Sequence, residues 1–101
     1  MQSVVEVVQS ATFAKWLSKL NDRNARARIQ VRIDRLALGN TGDAKRVGRG
    51  VSEMRIDHGP GYRVYFAQRG KIIVLLLCGG TKKTQRADIE RAIEIAKEME
   101  G

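Results

Sequence analysis

The chain is poor in the residues that mark secreted, membrane and metal-binding proteins. Its 101 residues include one cysteine, one proline and one histidine. A single cysteine excludes an internal disulfide framework and fits a reducing cytoplasm. No apolar run approaches the length of a membrane span, and the N-terminus lacks the basic-then-apolar pattern of a signal peptide. We therefore expect a cytoplasmic protein that has no membrane partner.

Side chains that bind metals are not grouped in the sequence. The histidine, the cysteine and the carboxylates show no metal-ligand spacing, so we expect neither a metal nor another cofactor. Cys78 ends an apolar run, which favours the role of a small core residue over that of a nucleophile.

Positive charge is abundant and concentrated in the middle of the chain. The net charge is +8. Residues 23–49 hold eight Arg and Lys against two Asp, and residues 50–83 hold six against one Glu and one Asp. Clustering of this kind exceeds what solubility requires. It predicts a nucleic acid or an acidic protein as the partner.

Hydrophobic periodicity predicts a single α+β domain over residues 1–101, in the order β-α-α-β-β-β-α. A short strand at 4–8 precedes a helix that Ser10 or Thr12 could cap. Asn21-Asp22 ends that helix and can cap a second one over 23–38, whose buried stripe is Ile29, Ile33 and Leu36. Thr84 caps a last helix. We expect a small, mostly antiparallel sheet packed against the N-terminal helical hairpin, followed by the C-terminal helix.

Residues 39–50, between the second helix and the next strand, contain four glycines. This composition predicts a mobile basic arm that carries Lys45, Arg46 and Arg49. Beside a polar sheet surface, these three side chains could grip a nucleic-acid backbone.

Strict alternation in strands 51–57 and 62–68 determines which side chains share a face of the sheet. Met54 and Ile56 belong with the apolar positions of the second strand, which places four polar residues together on the opposite face: Glu53, Arg55, Arg63 and Tyr65. A tight turn near Arg69-Gly70 would pair Phe66 with Ile73. The face toward the helical hairpin would then carry Ile73, Leu75 and Leu77, and the other face Val74, Leu76 and Cys78.

The polar face holds groups suited to cleaving RNA without a metal. Such a reaction needs an activated 2′-hydroxyl, a stabilised phosphate and a protonated leaving oxygen. Arg63 and Arg55 can hold a phosphate through paired donors, and Lys82 or Lys83 can offset negative charge. Glu53 is the best-placed base, or equally the partner that orients one of the arginines.

Three further side chains are candidates beside that face. His58 lies in the turn between the two strands, where its titration range suits proton transfer, although it could be an exposed bystander. Tyr65 could stack on a base or donate its hydroxyl. Tyr62 could contact RNA at the strand edge, although its parity points to the core.

Three segments of the chain resemble bacterial and phage toxins of toxin–antitoxin modules. Residues 50–57 read GVSEMRID, residues 59–66 read GPGYRVYF and residues 77–85 read LCGGTKKTQ, with Asp88-Ile89 downstream. The Gly-Tyr-Arg-Val-Tyr piece is typical of the RelE/ParE superfamily. The Gly-Pro-Gly turn and the Gly-Gly-Thr-Lys-Lys tail are similar to the HigB-like addiction module killer proteins.

This resemblance implies a RelE/ParE-like fold and a toxin that cuts mRNA in the ribosomal A site and arrests growth. Arg63 would contact the scissile phosphate, and Lys82 or Lys83 would support catalysis or binding. The implied partners are the ribosome, mRNA and a helix-turn-helix antitoxin, with operator DNA bound only through the antitoxin complex. Two departures stand out: Glu53 replaces a frequent lysine, and no His or Tyr follows Cys78, where many ribosome-dependent members place an acid or base.

Two other functions stay open on sequence grounds. A ParE-like inhibitor of DNA gyrase would act by protein binding and would need no acid–base pair. A non-catalytic nucleic-acid-binding domain would need only the positive charge, and its binding would be salt-dependent.

Overall fold

A computed structural model describes residues 5–71 and 73–100 of the chain. These residues form, in order, β1 (Glu6–Gln9), α1 (Ala11–Lys19), α2 (Arg23–Ala37), β2 (Ala44–Gly48), β3 (Val51–Ile56), β4 (Tyr62–Arg69), β5 (Ile73–Thr81) and α3 (Gln85–Glu100). A 3₁₀ turn, Lys82–Thr84, joins β5 to α3. The predicted α+β class is confirmed, with one strand more than expected. Val4, where the first strand was predicted to begin, lies outside the described residues.

One mixed sheet separates the helical hairpin from the C-terminal helix. The strand order is β1-β5-β4-β3-β2, with β1 parallel to β5 and the other neighbours antiparallel. The core under the hairpin includes Phe13, Ile29 and Leu36, and a second core under α3 includes Leu77 and Ala92. Both faces of the sheet are therefore covered, which keeps the central strands β4 and β5 largely buried.

Local capping explains where the two hairpin helices begin. The Ser10 hydroxyl accepts a hydrogen bond of 2.9 Å from the Phe13 amide and donates one to the carbonyl of Leu77. The Asp22 carboxylate accepts from the Ala25 amide at 3.1 Å. Each side chain satisfies a main-chain donor that a helix start leaves unpaired, as the sequence predicted.

The prediction of a mobile basic arm at residues 39–50 is wrong. Residues 44–48 form β2, in which Lys45 pairs with Glu53 and Arg46 pairs with Ser52. The guanidinium of Arg32 donates to the main-chain carbonyls of Thr41, Asp43 and Arg55 and so holds the preceding loop in place. The glycines of this segment serve tight turns, since residues 49 and 50 both have positive φ, as a two-residue hairpin of type I′ requires.

The predicted pairing of β4 with β5 is also wrong, and the difference reverses most of β5. Phe66 pairs with Leu76 rather than Ile73, because β4 runs on to Arg69 before the chain turns. Val74 and Leu76 therefore face the hairpin, whereas Leu75 and Leu77 face α3. Tyr65 pairs with Cys78 and Phe66 with Leu76, which leaves Leu77 as an extra residue between them. Because of this extra residue, Cys78 lies on the α3 side of the sheet, opposite the hairpin, as predicted.

Candidate functional site

Two arginines lie directly opposite each other on neighbouring strands. Arg55 of β3 pairs with Arg63 of β4, which pairs in turn with Gly80 of β5. We call Arg55, Arg63 and Gly80 the cross-strand row. Directly opposed residues in antiparallel strands have Cα atoms about 4.5–5.5 Å apart, and like charges in such positions destabilise a sheet. The pairing confirms the predicted register of β3 on β4. Opposite charges must then compensate the repulsion between the two guanidinium groups.

Each arginine of the cross-strand row has one carboxylate partner. Arg55 Nη2 lies 3.1 Å from Asp43 Oδ1, in a pair that is largely open to solvent. Arg63 Nε lies 3.8 Å from Glu53 Oε1, and the Arg63 side chain is only 12% exposed. The Nε atoms of both arginines are buried and make no hydrogen bond within the described residues. The nearby carboxylates therefore offset the repulsion between the two arginines, while their buried Nε donors are left without a hydrogen-bond acceptor in this part of the chain.

Glu53 is fully buried between β3 and α3. Its Oε2 accepts hydrogen bonds from the Tyr65 hydroxyl at 3.1 Å and from Gln85 Nε2 at 2.6 Å. Its Oε1 faces Arg63 and has no hydrogen-bond partner among residues 5–71 and 73–100. Of the two roles that the sequence left open, this geometry favours the partner that orients an arginine, since no substrate atom can reach the carboxylate in this arrangement.

Tyr65 is buried beside Glu53 and cannot stack on a base. It has no exposed surface, so that part of the prediction is wrong. Burial, followed by the charge of Glu53, raises the pKa of the Tyr65 hydroxyl above its ordinary value. The hydroxyl therefore stays protonated and serves as a permanent donor to Glu53. Sequence alternation placed Tyr65 on the correct face but could not show that α3 covers it.

Tyr62 and His58 lie on the hairpin side of the sheet. The Tyr62 ring is 8% exposed and lies 6.4 Å from the ring of Trp16, centroid to centroid. The His58 imidazole stacks on Tyr62, and its Nε2 lies 3.1 Å from Asp22 Oδ2. The Ala25 amide and then His58 lower the pKa of Asp22 below its ordinary value. These contacts tie the turn before β4 to the start of α2 and leave His58 engaged away from the cross-strand row.

The two lysines after β5 are exposed, and Lys82 lies close to Arg63. The amide of Lys82 donates to the carbonyl of Gly61 at 2.9 Å. A Cβ built on Gly61 would lie 3.5 Å from Lys82 Cβ and 3.9 Å from Arg63 Nη1, so these two side chains flank the same glycine. Within the described part of the chain, Lys82 and Lys83 form no ion pair.

The basic residues of the β2–β3 hairpin do not join the cross-strand row. Lys45 shares the α3 side of the sheet with its partner Glu53, whereas Arg46 points to the opposite side with Ser52. Arg49 lies at the tip of the hairpin with φ of 50°. All three side chains are exposed, but they spread over different surfaces.

Sequence reasoning overlooked the residues by which α3 reaches the site. Gln85 and Asp88 lie in its first turn, and the Thr84 hydroxyl donates to the Asp88 carboxylate at 2.5 Å. That carboxylate lies directly over Gly80, where it leaves no room for a Cβ. A signal for Gln85 existed, because it shares a helical stripe with the apolar residues Ile89, Ala92 and Ala96, at spacings of i+4, i+7 and i+11.

Cys78 is a buried residue beneath α3. Burial foremost, and then the nearby Asp88 carboxylate, raise the pKa of its thiol to about 12. A thiol of this kind is a poor nucleophile. In residues 5–71 and 73–100, no cluster of three or more His, Cys, Asp and Glu side chains could hold a metal ion. The helices of this part of the chain are all too short or too polar to cross a membrane.

Comparison with known proteins places the chain in a family. Residues 15–100 match the family model described as "Phage derived protein Gp49-like (DUF891)". The chain belongs to this Gp49-like family. A relative from Haemophilus influenzae, named only as an uncharacterized protein, is 47% identical over 95 residues, which cover 94% of this chain and 96% of the relative. Gp49-like proteins are associated with the toxins of toxin–antitoxin modules, and a toxin of this kind has an antitoxin partner.

In this Gp49-like protein the site combines two exposed lysines and a largely buried arginine with proton-transfer groups that are fully buried. The Arg63 side chain is 12% exposed and lies near Lys82, which Lys83 follows in the chain. Glu53 and Tyr65, which could exchange protons, lie beneath α3. The arrangement can therefore hold a phosphodiester and stabilise added negative charge, with the lysines as the exposed groups able to move a proton.

Proposed function

We propose that this chain is the toxin of a type II toxin–antitoxin module and cleaves mRNA in the ribosomal A site, without a metal. The proposal is carried by the grouping of three cations, Arg55, Arg63 and Lys82, which have only two carboxylate partners among the described residues, Asp43 and Glu53. Lys82 lies beside Gly61, in the turn before β4, and adds positive charge that no carboxylate of the described residues neutralises. A phosphate bridging these groups would gain charge-assisted hydrogen bonds.

In the proposed reaction, the 2′-hydroxyl attacks the adjacent phosphorus and the bond to the 5′ oxygen breaks. The 2′-hydroxyl gives its proton to solvent and the leaving 5′ oxygen takes one from a lysine ammonium, so the products are a 2′,3′-cyclic phosphate and a 5′-hydroxyl. Arg63 holds the phosphate, and Lys82 or Lys83 offsets the charge that develops on it. Glu53 keeps Arg63 in orientation, and the same lysines are the exposed proton donors.

Expression of matched variants in cells tests the nuclease. We expect the wild type to arrest growth and to create new transcript 5′ ends within translated regions. Arg63→Ala should reduce cleavage by about 10²–10³-fold, the usual cost of removing one donor to a developing oxyanion. Arg28→Ala is the matched control, because this exposed arginine of α2 lies on the other side of the sheet. Arrest with unchanged 5′ ends in the wild type would overturn the proposal.

A ParE-like inhibitor of DNA gyrase is the second candidate. It is favoured by the burial of Glu53 and Tyr65, because a protein that acts by binding needs no exposed acid or base. Inhibition of purified gyrase, together with DNA damage and intact transcripts in the arrested cells, would select this function.

We further propose a helix-turn-helix antitoxin as the cognate partner, with operator DNA bound only by the complex. The positive field over residues 23–83 suits an acidic antitoxin segment. Co-expression should restore growth and yield a complex that retards promoter DNA, whereas the free toxin should not retard it selectively.

A further inference from the structure

The first residue of α3 reaches into the buried part of the candidate site. Gln85 Nε2 donates a hydrogen bond of 2.6 Å to Glu53 Oε2, and Glu53 has no exposed surface. The hydroxyl of Tyr65 donates to the same oxygen at 3.1 Å. Two donors from two different elements, α3 and β4, thus hold one oxygen of a buried carboxylate.

Within residues 5–71 and 73–100, Arg63 is the only partner of the other oxygen of Glu53. Glu53 Oε1 and Arg63 Nε are 3.8 Å apart, and neither makes a hydrogen bond among the described residues. A buried charge needs both a counter-charge and hydrogen bonds to be tolerated. The hydrogen bonds that Glu53 accepts within the described residues are both on Oε2. They fix the orientation of the carboxylate, and so the position of the Oε1 atom that attracts the Arg63 guanidinium.

Packing alone does not explain a glutamine at position 85. Its neighbours in the same helical stripe, Ile89 and Ala92, are apolar and pack against the sheet. An aliphatic residue would continue that stripe without an amide to satisfy. The amide is accounted for by its bond to Glu53.

We propose that Gln85 is a positioning residue, which sets the orientation of the Arg63 guanidinium through Glu53 and makes the first turn of α3 part of the phosphate-binding site. This proposal rests on the proposed function in one respect, namely that Arg63 binds an RNA phosphate. It also implies that any displacement of the start of α3 is felt at Arg63.

The test compares Gln85→Met with Gln30→Met in the full-length chain. Methionine matches glutamine in length but donates no hydrogen bond. Gln30 is the control, because its amide also donates to a carboxylate from a helix, that of Asp34 at 3.0 Å, but on the exposed surface of α2. The probe is a 2′-O-methyl RNA oligonucleotide, which binds but cannot be cleaved. The NMR resonance of the Arg63 Nε–Hε group is followed in parallel.

We expect Gln85→Met to weaken oligonucleotide binding about ten-fold, because a misoriented Arg63 forfeits one charge-assisted hydrogen bond to the phosphate, and to shift the Arg63 resonance. Gln30→Met should change neither. A Gln85→Met protein with a lower unfolding midpoint but wild-type binding and an unmoved resonance would reduce Gln85 to a structural role and overturn the proposal. If Gln85→Met does not fold, Gln85→Asn, whose shorter amide falls out of reach, is judged by the same two readouts.

The two proposals fail in different ways. If Arg63→Ala binds the oligonucleotide as well as the wild type does, the phosphate-binding role of Arg63 is wrong. The Arg63 resonance in Gln85→Met still decides whether Gln85 orients that side chain.

Discussion

Replacing Gly80 with alanine should disrupt the cross-strand row, because Gly80 belongs to that row and lies directly under the first turn of α3. A Cβ at this position would overlap the Asp88 carboxylate and press on the Thr84 hydroxyl. Both groups belong to the segment that carries Gln85. Relief therefore requires the Asp88 and Thr84 side chains to leave their mutual hydrogen bond, or the first turn of α3 to move away from the sheet and take the Gln85 amide from Glu53.

The expected loss of stability follows from the cost of adding a methyl group to a filled site. Such overpacking costs about 1–3 kcal/mol. For a chain of this size, each kcal/mol lowers the melting temperature by roughly 4–8 °C. A loss of about 2 kcal/mol thus corresponds to roughly 8–16 °C, well within the range of a thermal melt followed by circular dichroism.

The neighbouring glycine supplies the matched control. A Cβ on Gly79 would overlap the ring of Trp16, on the hairpin side of the sheet. Gly79→Ala should therefore destabilise the fold by a similar amount while leaving the contact between Gln85 and Glu53 intact. Removing the obstructing carboxylate with Asp88→Ala should recover most of the loss in Gly80→Ala and none of it in Gly79→Ala, because only neighbouring sites couple.

A melting temperature for Gly80→Ala within about 2 °C of the wild type, a shift below 1 kcal/mol, would refute the reasoning. It would mean that the Asp88 carboxylate is not held in the space above Gly80. Equal rescue of both alanine variants by Asp88→Ala would refute it too, since the effect would then be unrelated to the clash.

Three further predictions concern the hairpin and the β2–β3 turn. Ser10→Ala should cost about 2–4 kcal/mol in urea denaturation, from a lost helix cap and an unsatisfied Leu77 carbonyl, whereas exposed Ser18→Ala should cost less than about 0.5 kcal/mol. Arg49→Gly should raise the unfolding free energy by about 1 kcal/mol, because its φ of 50° is strained for arginine; an unchanged or lower value contradicts this. The pKa of Asp22 is lower in the folded state than its ordinary 3.8, so the stability it confers is present above that value and lost as pH falls through the folded pKa. Asp22→Asn keeps the cap and should flatten the acid side of the stability–pH curve; an unchanged acid limb would contradict the assignment.

Local signals predicted the helical hairpin well. Ser10 and Asp22 cap the two helices, and the apolar stripe through Ile29, Ile33 and Leu36 is buried as its spacing indicates. These features depend on interactions three or four residues apart, which a sequence displays directly. The register of β3 on β4 was equally predictable, because a slip of one residue would have buried charge against the core.

Long-range packing accounts for what the sequence could not reveal. β5 is apolar on both faces, so its alternation carries no information about which face meets which core. The four glycines at 39–50 indicate mobility when taken alone, because the positive φ angles that they adopt have a structural role only once β2 pairs with β3. Glu53 and Tyr65 were placed on the correct face, but their burial depends on how α3 folds back, which no local pattern predicts.

The pairing of β1 with β5 constrains the order in which the molecule can assemble. Glu6 aligns with Ile73, so the first strand finds its partner only after most of the chain exists. Contacts between such distant segments slow folding, because a long loop must close before they form. A chain that stops at residue 71 should consequently show no cooperative unfolding transition. During its own synthesis the protein would remain without a completed sheet, and so without a finished site, until β5 has emerged.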